Sequence, residues 1–465
     1  MHTEDRSTLL GTMPMALLVP KISIPIMFSM MIQARYNVVD SIFVSRFDPN
    51  GLTAVSLAAP FQMLMIALST GMGTGINSLL SRRLGEKNPE GARRASWNGL
   101  LIEVCGCFLF LLFGLLLARP TMGLVVSPNL ANAESILEMG SAYLRIVTVF
   151  SLGLFMAVYC ERMLQATGNS VLSMITQLCG AVTNIVLDPI MIFGYFGFPR
   201  MGVSGAAVAT VIGQFVSAGV GFSLNQWKNP ELRLKLREFK VNRYDLTGIF
   251  AVGLPSSIMA SIGSVMNVGM NAILSGFAES NAALNVMSVY FKLQSFIFMP
   301  VFGLSNGIVA IIAYNYGARI RERVYQCIRV ALIWAGTIML IGTLIFMIFP
   351  GQLMAIFESE AEAVITAQMT SIGMVAMRII AVNFIFAAVG ITLSTVFQAV
   401  GKGTYSMIIS ICRQLVILLP VAWLIARLTN NVYAVWWCFP AAEIAALVLC
   451  VFFFRKCNRE MLSKL

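Results

Sequence analysis

Runs of about twenty apolar residues recur from one end of the chain to the other, and an α-helix needs that length to cross roughly 30 Å of hydrocarbon. The pattern predicts twelve spans, at 22–45, 54–80, 97–118, 136–160, 170–196, 203–224, 247–275, 284–314, 328–349, 364–390, 404–426 and 432–454. The longest polar stretch between them, about 225–246, is too short for a soluble domain, so any chemistry takes place within or beside the membrane. The first apolar segment follows Lys21 and runs on without a small-residue cleavage site, which reads as a genuine span and not as a secretory signal.

The pattern also repeats. Gln165-Ala166-Thr167-Gly168 returns 233 residues later as Gln398-Ala399-Val400-Gly401, and Tyr143-Leu144-Arg145-Ile146 returns at the same separation as Ala376-Met377-Arg378-Ile379. Gly71, Gly75 and Gly85 return as Gly303, Gly307 and Gly317 at 232, and Pro25 with Asn37 returns as Pro255 with Asn267 at 230. An internal repeat of that length in an apolar chain predicts two lobes around a central path. The expected fold is therefore an all-α polytopic membrane protein with an amino lobe of spans one to six (1–224), a connecting loop (225–246), and a carboxy lobe of spans seven to twelve with a basic tail (247–465). An even number of spans per half makes the lobes parallel repeats, related by a pseudo-two-fold axis along the membrane normal.

Composition agrees, with 58% of residues hydrophobic and 11% charged, against roughly 25% charged in soluble domains. A net charge of +11 suggests nucleic acid only until the basic residues are placed, because they gather in alternate loops. Arg82, Arg83, Lys87, Arg93 and Arg94 follow span two, and Lys228, Arg233, Lys235, Arg237, Lys240 and Arg243 follow span six. Arg319, Arg321, Arg323 and Arg329 follow span eight, and Arg455, Lys456, Arg459 and Lys464 form the tail. The opposite loops carry about one basic residue each (Arg46, Arg119, Arg200, Arg427), and the loop after span nine holds Glu358, Glu360 and Glu362. The positive-inside rule places both termini in the cytoplasm, and no nucleic acid partner is implied.

Most enzymatic and metal chemistries are disfavoured. The nine cysteines lie in predicted spans apart from Cys327 and Cys457, so no disulfide framework follows. Cys105 and Cys107 read as packing residues, because the sole histidine is His2 and no second thiol cluster accompanies them. Gly71-Met72-Gly73-Thr74-Gly75 imitates a phosphate loop but sits within a span, where close helix packing explains it better. Ser204, within Gly202-Val203-Ser204-Gly205, has no histidine base in any span. The reading is not an enzyme.

A carboxylate near the middle of a span costs at least about 2.5 kcal/mol, so each one kept there invites a functional reading. Asp40 on span one and Asp188 on span five qualify, both roughly 27 Å above the polar end of their helices. Glu161 and Glu103 lie nearer span ends. Asn184 precedes Asp188 by four residues and shares its face. Pro189 follows directly, and the expectation is that it pushes Asp188 out of α geometry and frees backbone carbonyls. Two carboxylates, an amide and loose carbonyls form an oxygen-rich nest suited to a hard cation or a shared proton. The competing reading is that the acids only join helices, or lie at headgroup depth. Arg35 sits five positions before Asp40, about 140° around the helix, and lines either the cavity or the outside of the lobe.

The carboxy half has a different polar set, with Lys292 on span eight, Arg413 on span eleven and Glu443 on span twelve. Met270 and Leu419 stand where the acids would return. Arg413 with Glu443 reads first as a buried salt bridge that fixes the lobe.

These residues resemble the multidrug and toxic compound extrusion transporters over nearly the whole chain, in particular their bacterial branch related to the DNA-damage-inducible F proteins. The motifs that carry the resemblance are Tyr36-Asn37-Val38-Val39-Asp40-Ser41-Ile42-Phe43-Val44, Gln165-Ala166-Thr167-Gly168 and Asn184-Ile185-Val186-Leu187-Asp188-Pro189 with Ile192-Phe193-Gly194. Residues 202–210 and Ala313-Tyr314-Asn315-Tyr316-Gly317-Ala318 add to it. The resemblance implies two six-helix lobes about a V-shaped cleft and export of amphipathic organic cations in exchange for Na⁺ or H⁺. It implies a cation or proton site at Asp40, Asn184, Asp188 and the hydroxyl of Thr210, with Na⁺ at Asp40, Asn184 and Asp188. Branches that use carboxylates on spans seven and ten are not matched, since neither span holds Asp or Glu. Arg35 departs from the apolar residue usual there. Candidates for the substrate cleft are Arg35, Asn37, Lys292, Gln294 and Arg413. No cofactor beyond the coupling ion is implied; the partners are small organic molecules and membrane lipid, with a functional monomer in the bacterial inner membrane. A flippase for lipid-linked anionic precursors is the alternative: Lys292, Arg378 and Arg413 suit it, and the paired aspartates do not.

Overall fold

The computed structural model describes residues 7–128, 132–234, 239–356 and 363–465, with the side chains of 34–41, 49 and 363–366 outside the description. Arg35, Asn37 and Asp40 are thus placed by their helix alone, and Lys235, Arg237, Glu358, Glu360 and Glu362 lie outside the described residues. Among the described residues every regular element is helical.

The predicted spans are present and mostly longer than the apolar runs alone suggest. In the amino lobe they are Met15–Phe47, Pro49–Gly85, Pro89–Leu116, the pair Ala133–Val149 and Leu152–Ala166, then Ser170–Phe193 and Val203–Lys228. The carboxy lobe has Arg243–Leu274, Ser280–Gly317, Arg321–Ile348 and the pair Ala363–Ala381 and Asn383–Ala399. Span eleven runs from Gly403 to Thr429 with a π-helical stretch at Cys412–Leu418, and span twelve is Val432–Val435 followed by Cys438–Glu460. Polar caps explain several starts: Asn88 accepts from the Gly91 amide, Asn242 from Tyr244 and Asp245, and Asn431 from Tyr433.

Spans four and ten reach Ala166 and Ala399, beyond their expected ends at 160 and 390, and each is broken in its middle, by a bend of 45° and 46° respectively. In span four, Thr148 Oγ1 donates back to the Leu144 carbonyl at 2.6 Å, a bond that bends helices. The position equivalent to Thr148 at the repeat separation is Ala381, which has no such group, yet the bend recurs. Short helices Ala118–Val125 and Pro350–Ala355 likewise follow spans three and nine.

The expectation at Pro189 is corrected. Asp188 and Pro189 lie inside an unbroken α-helix that ends only at Gly194, which adopts φ +76°. Proline costs the helix one hydrogen bond, and packing against span six keeps the backbone helical through it.

The repeated glycines define how the lobes meet. A Cβ at Gly71 would overlap Ser257 of span seven, and one at Gly303 would lie 2.5 Å from Met27 Cα of span one. Gly75 faces Gly253, and Gly307 faces Ser23. Each of these partners is the repeat counterpart of the other at the separation of 230, so span two on span seven and span eight on span one form a two-fold pair of crossings. The pattern closes at Gly85, which abuts the Tyr314 carbonyl, and Gly317, which abuts the Arg82 carbonyl. Only glycine lets two helix backbones approach this closely.

The basic residues gather where these helices end. Arg83 and Arg94 both reach the fully buried Asp245 at the start of span seven, at 3.4 and 2.8 Å. Ser78 donates to the carbonyls of Gln398 and Ala399, and Arg323 donates to those of Leu10 and Met13 at 3.1 and 2.8 Å. We call this the basic end. There the lobes are laced together by charge-assisted bonds that cross between repeats.

Candidate functional site

Span five lies against span six along small residues. Gly180 and Gly213 face each other, a Cβ on either coming within 2.8–2.9 Å of the other's carbonyl oxygen, and Gly205 lies against the Met191 carbonyl. Antiparallel helices in backbone contact at Gly180 and Gly213 bring together residues one turn further along. Those residues are Asn184 and Thr210.

Asn184 Nδ2 donates to Asp188 Oδ1 at 3.2 Å and to Thr210 Oγ1 at 3.4 Å. Asp188 is fully buried and Asn184 nearly so. With both amide hydrogens committed, the Asn184 carbonyl Oδ1 is buried and accepts no hydrogen bond among the described residues. The donor set is a carboxylate, an amide oxygen and a hydroxyl, which fits a hard monovalent cation. The same carboxylate, in a helix interior, accepts a proton as an alternative way to neutralise its charge. Asp40 belongs to span one, which packs along span five. Three of the four site residues expected from the sequence are thus joined by hydrogen bonds across spans five and six, and the fourth lies on their neighbouring helix.

A cavity of about 120 Å³ opens beside Asn184 and Thr210, bounded by spans one, four, five and six. Its polar wall is Gln33, Glu161, Gln177, Gln214 and Ser217. Sequence reasoning passed over Gln177 and Gln214 and treated Glu161 as a helix-end residue. A helical signal was present: 177, 184 and 188 fall on one stripe of span five, and 210, 214 and 217 on one stripe of span six.

The repeated Gln-Ala-Thr-Gly segment has a task here. Arg162 Nη1 donates to Gln165 Oε1 at 2.8 Å, which turns the Gln165 amide so that Nε2 donates to Glu161 Oε1 at 2.7 Å and to Ser173 Oγ at 3.0 Å. Gly168 closes the turn at φ +77°.

The cleft candidates of the carboxy lobe are more dispersed. Lys292 is exposed and Gln294 half-buried, and two residues apart on one helix they project about 200° around its axis, so they do not line one wall together. Arg413 lies on the π-helical stretch with Nη1 3.4 Å from Glu443 Oε1, a lobe-internal ion pair between spans eleven and twelve. Among the described residues no cluster of three or more His, Cys, Asp or Glu side chains is placed to hold a metal.

A polytopic helical protein of two pseudo-symmetric lobes, with one buried carboxylate–amide–hydroxyl site in a single lobe, has the architecture of a secondary transporter. The chain belongs to the MatE family, whose sequence pattern matches it twice, over residues 25–190 and 255–424. It is 25% identical to the multidrug export protein MepA of Staphylococcus haemolyticus over 446 residues, 95% of this chain and 94% of that one. It is 26% identical to the probable multidrug resistance protein NorM of Thermotoga maritima, covering 88% and 85% of the two chains. Among solved structures it superposes on a MATE in complex with MaL6 with a TM-score of 0.90 at 25% identity. It also superposes on the outward-facing conformation of a multidrug resistance MATE family transporter of the MOP superfamily with a TM-score of 0.89 at 25% identity. Both matches span the full length of each chain. The family is one of transporters, and the chain is a multi-pass membrane protein.

Proposed function

We propose that this chain is a multidrug efflux antiporter that exports amphipathic organic cations in exchange for Na⁺ or H⁺ by alternating access. The observation that carries the reading is the Asn184 bridge between buried Asp188 and Thr210, confined to one of two otherwise matched lobes. The names of the MepA and NorM relatives support multidrug substrates and do not favour the lipid-precursor alternative. The basic end faces the cytoplasm, with both termini, in the inner membrane of a bacterium. One copy suffices, since each lobe supplies the other's partner surface, and the aspartate–asparagine–aspartate set supports a position near the DNA-damage-inducible F branch.

Coupling requires differential affinity: the cation or proton at Asp40 and Asp188 stabilises one orientation of the lobes and the drug stabilises the other. One monovalent charge moving inward through about 100 mV brings roughly 2.3 kcal/mol, before any concentration difference. The frame for the movement is the glycine-lined crossings, which let the lobes roll as bodies about the basic end.

The test is dye efflux under separate Na⁺ and pH gradients, for the wild type, Asp40→Asn and Asp188→Asn. Loss of gradient-driven efflux in both variants, with retained dye binding, is the expected result. Wild-type export by both variants would overturn the reading.

A further inference from the structure

The cavity next to Asn184 is a second polar feature of the amino lobe, and its geometry points along the helices. By helical rise, Asn184 lies about 21 Å and Gln177 about 10 Å from the start of span five at Ser170. Gln214 lies about 21 Å from the end of span six at Lys228, and Glu161 only about 8 Å from the end of its helix at Ala166. These ends all belong to the basic end. The cavity wall therefore descends from Asn184 and Thr210, past Gln214 and Gln177, to Glu161.

The polar part of the lining offers unpaired acceptors. The carbonyl oxygens of Gln177, Asn184 and Gln214 are each buried and accept no hydrogen bond among the described residues. Glu161 adds a carboxylate, one oxygen of which is held by Gln165 Nε2. Orphaned amide oxygens in a row favour a cation with its waters, because a buried acceptor left without a donor is destabilising. Size narrows the occupant. Pockets for drug-sized molecules run from about 300 to 1,000 Å³. At about 120 Å³ the space is far below that range yet holds several waters.

The second lobe supplies the contrast. At the separation of 233 that pairs Gln165 with Gln398, Ser394 stands at the place of Glu161 and Thr395 at the place of Arg162. Gln398 survives, and its backbone carbonyl accepts from Ser78 across the lobe interface. The arginine–glutamine–glutamate relay is thus private to the lobe that carries Asp188.

We propose that Glu161 is a relay carboxylate for the coupling cation, taking an ion or proton between the Asp188–Asn184–Thr210 site and the basic end along the wall of Gln214 and Gln177. This rests on the antiport reading above and adds a residue and a route to it. The relay acts after the cation site and does not touch the drug, so its loss slows turnover without weakening drug binding.

The full-length protein is reconstituted in proteoliposomes, and dye transport is followed under a pH gradient and, separately, a Na⁺ gradient. In the gradient that drives the wild type, Glu161→Gln is expected to lower the maximal rate by about tenfold or more, with the dye KM changed less than about twofold. Glu161→Asp, which restores the charge, is expected to recover much of that rate and to shift the half-saturating concentration of the driving cation. Gln214→Leu, which removes a wall oxygen and leaves the Gln165 clamp intact, is expected to slow the same gradient-driven step, and it stands in if Glu161→Gln fails to fold. Asp188→Asn separates the two ideas: if it transports like the wild type, the antiport reading itself fails. If Asp188→Asn is inactive while the folded Glu161 and Gln214 variants keep wild-type rates and cation dependence in both gradients, the relay is overturned and the antiport reading stands.

Discussion

The two lobes share a frame and differ in chemistry. Both bend their fourth helix by nearly the same angle, both carry a short helix after their third, and both offer glycines to the other at matching places. Yet Asp188 is answered by Leu419, and Glu161 by Ser394. The carboxy lobe instead pairs Arg413, on a π-helical stretch of span eleven, with Glu443 of span twelve. The difference teaches that duplication preserved shape at the interface, while only the amino lobe kept the acids at positions 161 and 188.

The largest test of that contrast is at the acid itself. Asp188→Asn is expected to reduce gradient-driven efflux by about 100-fold, the scale of losing a positioned acid or base. Vesicle dye efflux reads it. If Leu419→Asp restored gradient-driven efflux to a folded Asp188→Asn variant, the idea that only the amino lobe can sense the cation would break.

Next come the glycines, where the lobes should respond alike. Gly85→Ala and Gly317→Ala each force a methyl group into a partner backbone carbonyl. Each is expected to destabilise the laced basic end by about 1–3 kcal/mol, the cost of overpacking a tight contact. Hydrogen exchange in the segments around Arg82 and Tyr314 should rise similarly in both variants. A large effect in only one would show that the interface is less symmetric than its geometry.

Asp245→Asn removes a charge held by Arg83 and Arg94, partners that are about a quarter and a third exposed. The expected loss is about 2 kcal/mol for charge-assisted bonds to a buried acceptor. It should favour opening at the basic end and be read as faster labelling of a cysteine introduced beside Ser78. The smallest effect belongs to the carboxy lobe: Glu443→Gln should lower the thermal unfolding midpoint by the equivalent of about 1 kcal/mol. Its ion pair is long at 3.4 Å and partly exposed on the arginine side. The dependence of transport on the driving gradient should be unaltered.

Much of this was legible beforehand because the signals are strong and local. A span needs only length and apolarity, so the count, order and parallel pairing of the spans followed from the chain, as did the shared face of Asn184 and Asp188. The role of the repeated glycines was legible only in part: their spacing announced close packing, but not that the partner of Gly71 is Ser257 of the other lobe. Proline at 189 misled, because the local preference of its predecessor for extended backbone is outweighed by a helix packed along its length against span six. Glu161 was undervalued for the opposite reason. Near the end of an apolar run a carboxylate looks solvated, and nothing in the run shows that the helix continues past the expected end at 160 to Ala166, in register with Gln165 and Arg162.

The sequence by itself determined the membrane class, the twofold frame and the place of the one-sided acids, since hydropathy and repetition are properties of residues in order. Tertiary structure decided which atoms meet. The bends of spans four and ten recur over unlike residues, the Asn184–Thr210 contact exists because two glycines bring spans five and six into backbone contact, and the oxygen wall needs three helices to form. Such contacts join residues far apart in the chain, and their geometry is set by packing across helices, which no local pattern encodes.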